Sequence, residues 1–235
     1  MMQKIAFGVL FSAFALSAQA TTTVPAGTTF DGGGATYGTS CDGQSESQQP
    51  VFLLKDGATL KNVVIKAGAA ADGVHCEGSC TIQNVKWPDV CEDAATMKGG
   101  SGKTMTISGG SAASADDKVF QHNGVGSTVN ITNFTTTGSI GKLYRSCGNC
   151  STQGARKVNI SGTKLEKVTA AVVGINKNYG DVATIKTLQI KSYKSGSPKV
   201  CVEYTGNNTG AEPTSLGEKW NDSYCKVTTS DVTSY

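Results

Sequence analysis

Thr59-Leu60-Lys61-Asn62-Val63-Val64-Ile65 is followed 22 residues on by Thr81-Ile82-Gln83-Asn84-Val85-Lys86-Trp87, and the two stretches share one pattern. Each opens on Thr, puts an apolar side chain next, passes through a polar pair ending in Asn, and closes on apolar residues. The pattern recurs at Thr104 to Ile107, Thr128 to Phe134, Lys157 to Ile160 and Thr184 to Ile190, with starts 23, 24, 29 and 27 residues apart. A second series alternates with it: Asp72 to Cys76, Cys91 to Ala95, Asp116 to Phe120, Gly141 to Arg145, Ala171 to Val173 and Lys199 to Val202. Alternation of apolar and polar residues is the period of a strand, and self-similarity near two dozen residues is the mark of a solenoid. These short strands, punctuated by Gly, Asn and Ser, predict an all-β chain wound as a parallel β-helix, each coil adding one rung to several sheets. A β-sandwich would use similar strands but has no need of the repeat. From Gly206 on, the chain is polar and aperiodic, held by Cys225.

Composition supports this reading by exclusion. Among 235 residues there are 29 Gly and 5 Pro with only 17% charged side chains, which fits neither a helical bundle nor collagen, since Gly has no three-residue period. The net charge of +3 is not gathered into a Lys/Arg stripe, so no nucleic-acid partner is expected. Residues 1–20 carry Lys4, an uncharged stretch from Ile5 to Leu16 and Ala18-Gln19-Ala20. That is the layout of a secretory signal peptide cut after Ala20, and it falls short of the ~20 apolar residues that cross a bilayer. The expectation is one extracellular domain over residues 21–235, monomeric and with no membrane attachment after cleavage. In an oxidising compartment the eight cysteines, Cys41, Cys76, Cys80, Cys91, Cys147, Cys150, Cys201 and Cys225, read as a disulfide framework of open connectivity. The alternative is zinc held by Cys76, Cys80, Cys147 and Cys150, for which no spaced His is present. Six Asn-x-Ser/Thr sequons begin at Asn130, Asn133, Asn149, Asn159, Asn207 and Asn221, as a glycoprotein would have.

Coiling turns sequence repeats into neighbours, because residues one period apart lie ~4.8 Å from each other across adjacent rungs. In the second series this aligns Asp72, then Glu92 and Asp93, then Asp116, Asp117 and Lys118, then Lys142 and Arg145. Carboxylates on successive rungs repel unless a cation sits among them, and an all-oxygen set suits calcium. The same residues would also make a surface salt-bridge network, and the pattern alone leaves both readings open.

Five ordered blocks carry a resemblance: Asp72 to Cys76, Trp87 to Ala95, Asp117 to Gly124, Gly141 to Cys150 and Val173 to Asp181. Together they resemble the pectate lyases of polysaccharide lyase family 3, over about Thr21 to Val202. The resemblance implies a right-handed parallel β-helix that depends on calcium and cleaves de-esterified pectin, polygalacturonate, by β-elimination. It implies Asp72, Glu92, Asp93 and Asp117 around the ion, and Lys118, Lys142 and Arg145 on the catalytic and substrate-binding face. Lys118 is the first choice of base, because an ammonium beside other cations and a dication loses its proton more readily. Arg145 is the rival; its guanidinium is better suited to a bidentate hold on a substrate carboxylate. Glu46, before the first rung, is expected to reach the groove. His122 precedes a turn and reads as a hydrogen-bonded structural residue. No Gly-x-Ser-x-Gly elbow and no phosphate loop are present. A β-helical cell-wall protein that binds pectate without cutting it is the competing expectation.

Overall fold

Each coil of the chain turns two corners and returns to its starting side. A computed structural model describes residues 21–38, 49–67 and 72–235, so the signal-like residues 1–20, Cys41 and Glu46 lie outside the described residues. Within them, the strands Asp72–Cys76, Cys80–Gln83 and Lys86–Trp87 make one coil, and Asp93–Met97 begins the next directly beside Asp72–Cys76. Among the described residues, repetition gives three sheets of nine, eight and eight strands, all parallel except for one antiparallel strand at the C-terminal edge of the first. This is the expected parallel β-helix, with one sheet more than the two series suggest. Each copy of the opening pattern is two strands: Ala58–Lys61 and Val64–Ile65 flank Asn62, and Cys80–Gln83 and Lys86–Trp87 flank Asn84.

The corner between those strands explains the Asn in the pattern. Asn62, Asn84 and Asn133 have φ of 53°, 52° and 53°, and the equivalent corners hold Gly109, Gly162 and Thr187 with φ of 66°, 62° and 52°. Left-handed backbone of this kind costs a residue with a β-carbon, least for Asn and nothing for Gly. The register also corrects the sequence alignment. Thr81 lies opposite Thr106, which pairs with Asn130, and Asn130 pairs with Asn159, so the three middle copies are displaced by two residues. A displacement of two keeps every side chain on its own face. Leu60, Ile82, Ile107, Ile131, Ile160 and Ile185 therefore stack as one buried column.

The first sheet departs from alternation in a way that makes the site. Each of its central strands buries two consecutive apolar residues, Ala94-Ala95, Val119-Phe120, Leu143-Tyr144 and Val172-Val173. Polar residues bracket the first three pairs: Asp93 and Thr96, Lys118 and Gln121, Lys142 and Arg145. In a straight strand residues three apart are ~10 Å from each other. Here Thr96 Oγ1 donates to Asp93 Oδ2 at 3.4 Å and His75 Nε2 meets Asp72 Oδ2 at 2.5 Å, so the strands bend and the bracketing groups share the outer surface.

The polar C-terminal stretch is not a loose tail. Cys225–Lys226 joins the second sheet and Val232–Ser234 the third, completing a last coil that the Cys201–Cys225 disulfide fastens to the first sheet. Cys76–Cys80 and Cys147–Cys150 are also disulfides, which excludes zinc on those four sulfurs. Cys91 is disulfide-bonded as well, and the described residues hold no free cysteine.

Candidate active site

Strand pairing sets the order of the site. Asp72 lies opposite Asp93, Lys118 opposite Lys142, Lys142 opposite Ala171, and Gln121 opposite Arg145. Acids occupy the early rungs and cations the later ones. Asp72, Glu92 and Asp93 are all buried, and each offers a carboxylate oxygen within 4.8 Å of the others. Lys118 stands at the border: its Nζ is 3.2 Å from Glu92 Oε1, 3.3 Å from Asp93 Oδ1 and 3.4 Å from Asp117 Oδ2. Lys142 Nζ donates to Asp117 Oδ1 at 2.8 Å. Asp117 thus comes to the site from a bulge between Ala115 and Lys118, half exposed, on the cationic side of Lys118 and apart from the buried trio. Asp116 is exposed.

Three carboxyl groups in so small a buried volume cannot all be ionised without a counter-charge. Burial, the contact with Asp72 and the charge of Asp93 push Glu92 up to about 10. Burial pushes Asp72 up too, but its hydrogen bonds with His75 and Glu92 outweigh this and hold it below the usual carboxylate range. Asp72 Oδ1 is buried with no hydrogen-bond donor. A hard, oxygen-seeking cation would engage that oxygen and displace the shared proton, so the residues present fit a divalent ion. His75 is a site residue that sequence reasoning misses: its Nε2 grips Asp72, and its Nδ1 lies 3.2 Å from Lys98 Nζ. Its only sequence signal is membership of the block Asp72 to Cys76.

Beyond Lys118 the surface opens into a groove of about 330 Å³ whose lining includes Asp117, Lys118, Lys142, Arg145, Tyr204 and Glu212. Lys118, Lys142 and Arg145 therefore converge as the repeat requires. Burial pulls the Arg145 guanidinium below its ordinary value, with Tyr204 and Asp181 opposing, and Cζ lies 4.1 Å from the Tyr204 ring centre. His122 is fully buried between Tyr144 and Ser127 and faces no groove, in keeping with a structural role.

A buried carboxylate trio bordering a cationic groove, both on one face of a β-helix, has the chemistry to hold a cation beside an acidic ligand. Comparison with known proteins makes that chemistry specific. The pectate lyase family profile matches residues 11–210. Pectate lyase E of Emericella nidulans is 50% identical over 202 residues, covering 84% of this chain and 76% of that protein. A probable pectate lyase E of Neosartorya fischeri is 52% identical over 194 residues, 80% of this chain and 73% of the other. Among solved structures, the catalytic domain of pectate lyase PelI from Erwinia chrysanthemi superposes with a TM-score of 0.84 at 45% identity, covering 92% of this chain and 100% of that one. PelI in complex with tetragalacturonic acid gives a TM-score of 0.82 at 46% identity over 91% and 70% of the two chains. This chain belongs to the pectate lyases of polysaccharide lyase family 3, and it is an enzyme, which sets aside the binding-only expectation.

Proposed function

We propose that the chain is a secreted, calcium-dependent pectate lyase that cuts polygalacturonate by β-elimination and leaves 4,5-unsaturated ends. The observation that carries this reading is Lys118 Nζ, 3.2 Å from Glu92 in the acid trio and lining the groove beside Lys142 and Arg145. Secretion rests on the signal-like residues 1–20 and the disulfide framework. Among the described residues no helix is long and apolar enough to cross a membrane.

Asp72, Glu92 and Asp93 would hold the ion, and Asp117, the fourth acid, meets the trio's neighbour Lys118. Calcium held there would supply positive charge that offsets the acids otherwise holding Lys118 and the charge that develops on a uronate beside it. Lys118 takes the C5 proton. The C5–H electron pair becomes the C4–C5 double bond, the C4–O bond breaks, and the departing glycosidic oxygen acquires a proton from solvent. Arg145 grips a substrate carboxylate through two parallel N–H donors. Lys142 donates a hydrogen bond to the next uronate, with Asp117 fixing its ammonium.

The test is the ultraviolet absorbance of unsaturated product during incubation with polygalacturonate and calcium at alkaline pH, where a lysine base is most active. Replacing a general base costs roughly 10²–10⁴-fold in rate. Lys118→Ala should lose kcat on that scale and retain pectate binding. A Lys118→Ala protein that turns over at the parent rate would end the assignment of the base.

A further inference from the structure

The block Val173 to Asp181 has no part in the chemistry above, yet it surrounds Arg145. The Arg145 guanidinium differs from its two neighbours in what holds it. Lys118 and Lys142 are both gripped by carboxylates, whereas Arg145 Nη1 donates to the side-chain oxygen of Asn176 at 3.1 Å. Among the described residues no carboxylate lies within ion-pair distance of Arg145. The Tyr204 ring covers one face of the guanidinium, and two glycines leave room for the rest. A β-carbon on Gly174 would come within 2.9 Å of Arg145 Cδ, and one on Gly148 would collide with Nη2 and Pro213.

Asn176 has only one way to face this slot. Its Nδ2 donates to the Cys147 carbonyl at 2.9 Å and to Asp181 Oδ2 at 3.1 Å, so both amide hydrogens point away from Arg145 and Oδ1 points toward it. Asp181 is itself pinned. Its Oδ2 accepts from Ser146 Oγ at 2.5 Å and from the Asn176 backbone at 2.8 Å, while Oδ1 accepts from the Arg156 backbone at 2.8 Å. Asn176 and Asp181 are both fully buried. Asn176 supplies a neutral acceptor and Asp181 orients it, so the nearby anion is spent on the amide rather than on the guanidinium. A charge held by a dipole keeps most of its attraction for an incoming anion, whereas one already neutralised by a carboxylate does not.

We infer that Asn176, locked by Asp181, is a positioning residue that presents Arg145 as an un-neutralised guanidinium to a carboxylate of the substrate. The inference rests on the reading of Arg145 as a substrate-holding group. It distinguishes Asn176 from a merely structural amide, because replacing it by the isosteric carboxylate should harm binding even where the fold survives.

The experiment is a double-mutant cycle in steady-state kinetics on polygalacturonate at saturating calcium, with thermal unfolding to show that each variant is folded. Losing a charge-assisted hydrogen bond to substrate corresponds to a change of about tenfold or more in binding. Asn176→Asp is expected to raise KM by that factor with kcat within about twofold, and to add less than about twofold on top of Arg145→Ala. If Asn176→Asp does not melt cooperatively, Asn176→Ala, which adds no charge, carries the same cycle with a smaller rise in KM. Full additivity with Arg145→Ala would show a structural role only and overturn the inference. An impaired Arg145→Ala beside an Asn176→Asp with parent kinetics overturns the inference alone. An Arg145→Ala protein with parent KM overturns both it and the reading of Arg145.

Discussion

The imidazole of His122 is enclosed at both nitrogens. Ser127 Oγ donates to the Gly124 carbonyl at 2.7 Å and so accepts from His122 Nε2, also at 2.7 Å. Nδ1 is left to accept the Tyr144 hydroxyl at 2.7 Å, which fixes the neutral tautomer. Burial, then the charge of Arg156, pulls His122 down to about 3. An unfolded histidine titrates near 6.5, so between about 6.5 and 3 the unfolded chain binds a proton that the folded chain refuses. Stability is therefore unaffected by this group above about 6.5 and falls as the pH drops through that window, by roughly 1.4 kcal/mol per pH unit. His122→Asn should be less stable at pH 7, and the gap from the parent should narrow by about that slope as denaturant unfolding is repeated down to pH 4. A constant gap would mean the parent imidazole is already protonated when folded. The structural role of His122 is legible from the turn residues that follow it; the hydroxyls that enclose it belong to Tyr144, a full rung away, and Ser127, beyond the turn, and leave no local trace.

At the scale of the element, the corner between the second and third sheets is the feature most nearly written in the sequence. Asn62, Asn84 and Asn133 recur because Asn tolerates left-handed backbone, yet in the sequence they pass for polar members of a single strand. The break they impose, and with it the third sheet, is invisible there because two-residue strands such as Val64–Ile65 are too short to show a period. The bend in the first sheet is hidden for a related reason. Buried pairs such as Val119-Phe120 break the alternation that a strand is recognised by, and only contacts across the bend show that residues three apart share a face. One corner is poorly filled: Thr187, β-branched, sits at φ 52° where the other corners use Asn or Gly. Relief of left-handed strain is worth about 1–2 kcal/mol, less roughly 0.5–1 kcal/mol for the freedom glycine adds to the unfolded chain. Thr187→Gly should accordingly raise the unfolding free energy by up to about 1.5 kcal/mol in urea titration. A loss of stability instead would show that the Thr187 side chain is worth more than its backbone strain.

Across the whole molecule, the repeat is enough to bring Asp72, Asp93, Lys118 and Lys142 together, since stacking is a property of period rather than of any one contact. What it does not supply are groups reaching the site from outside the aligned positions, such as Tyr204 and Asn176 around Arg145, or the separation of Asp117 from the trio by a bulge. The trio also has a mechanical consequence. Asp72 belongs to the strand Asp72–Cys76 and Asp93 to Asp93–Met97, so an ion bound between them ties consecutive coils together. Binding to the folded chain alone stabilises it by about 2.7 kcal/mol at a hundredfold excess over Kd, and for a domain of this size each kcal/mol raises the melting temperature by about 2–4 °C. Calcium should therefore raise the melting temperature by roughly 5 °C or more over a chelator control, in the absence of any substrate. Magnesium, which demands a rigid octahedron and keeps its waters, should do less at equal concentration in so buried a set of oxygens. Asp93→Asn removes one of the two charges that face each other across the coils and should abolish most of the calcium-dependent rise while the protein remains folded. An undiminished rise in Asp93→Asn would place the stabilising ion away from this pair of coils and detach calcium from the trio.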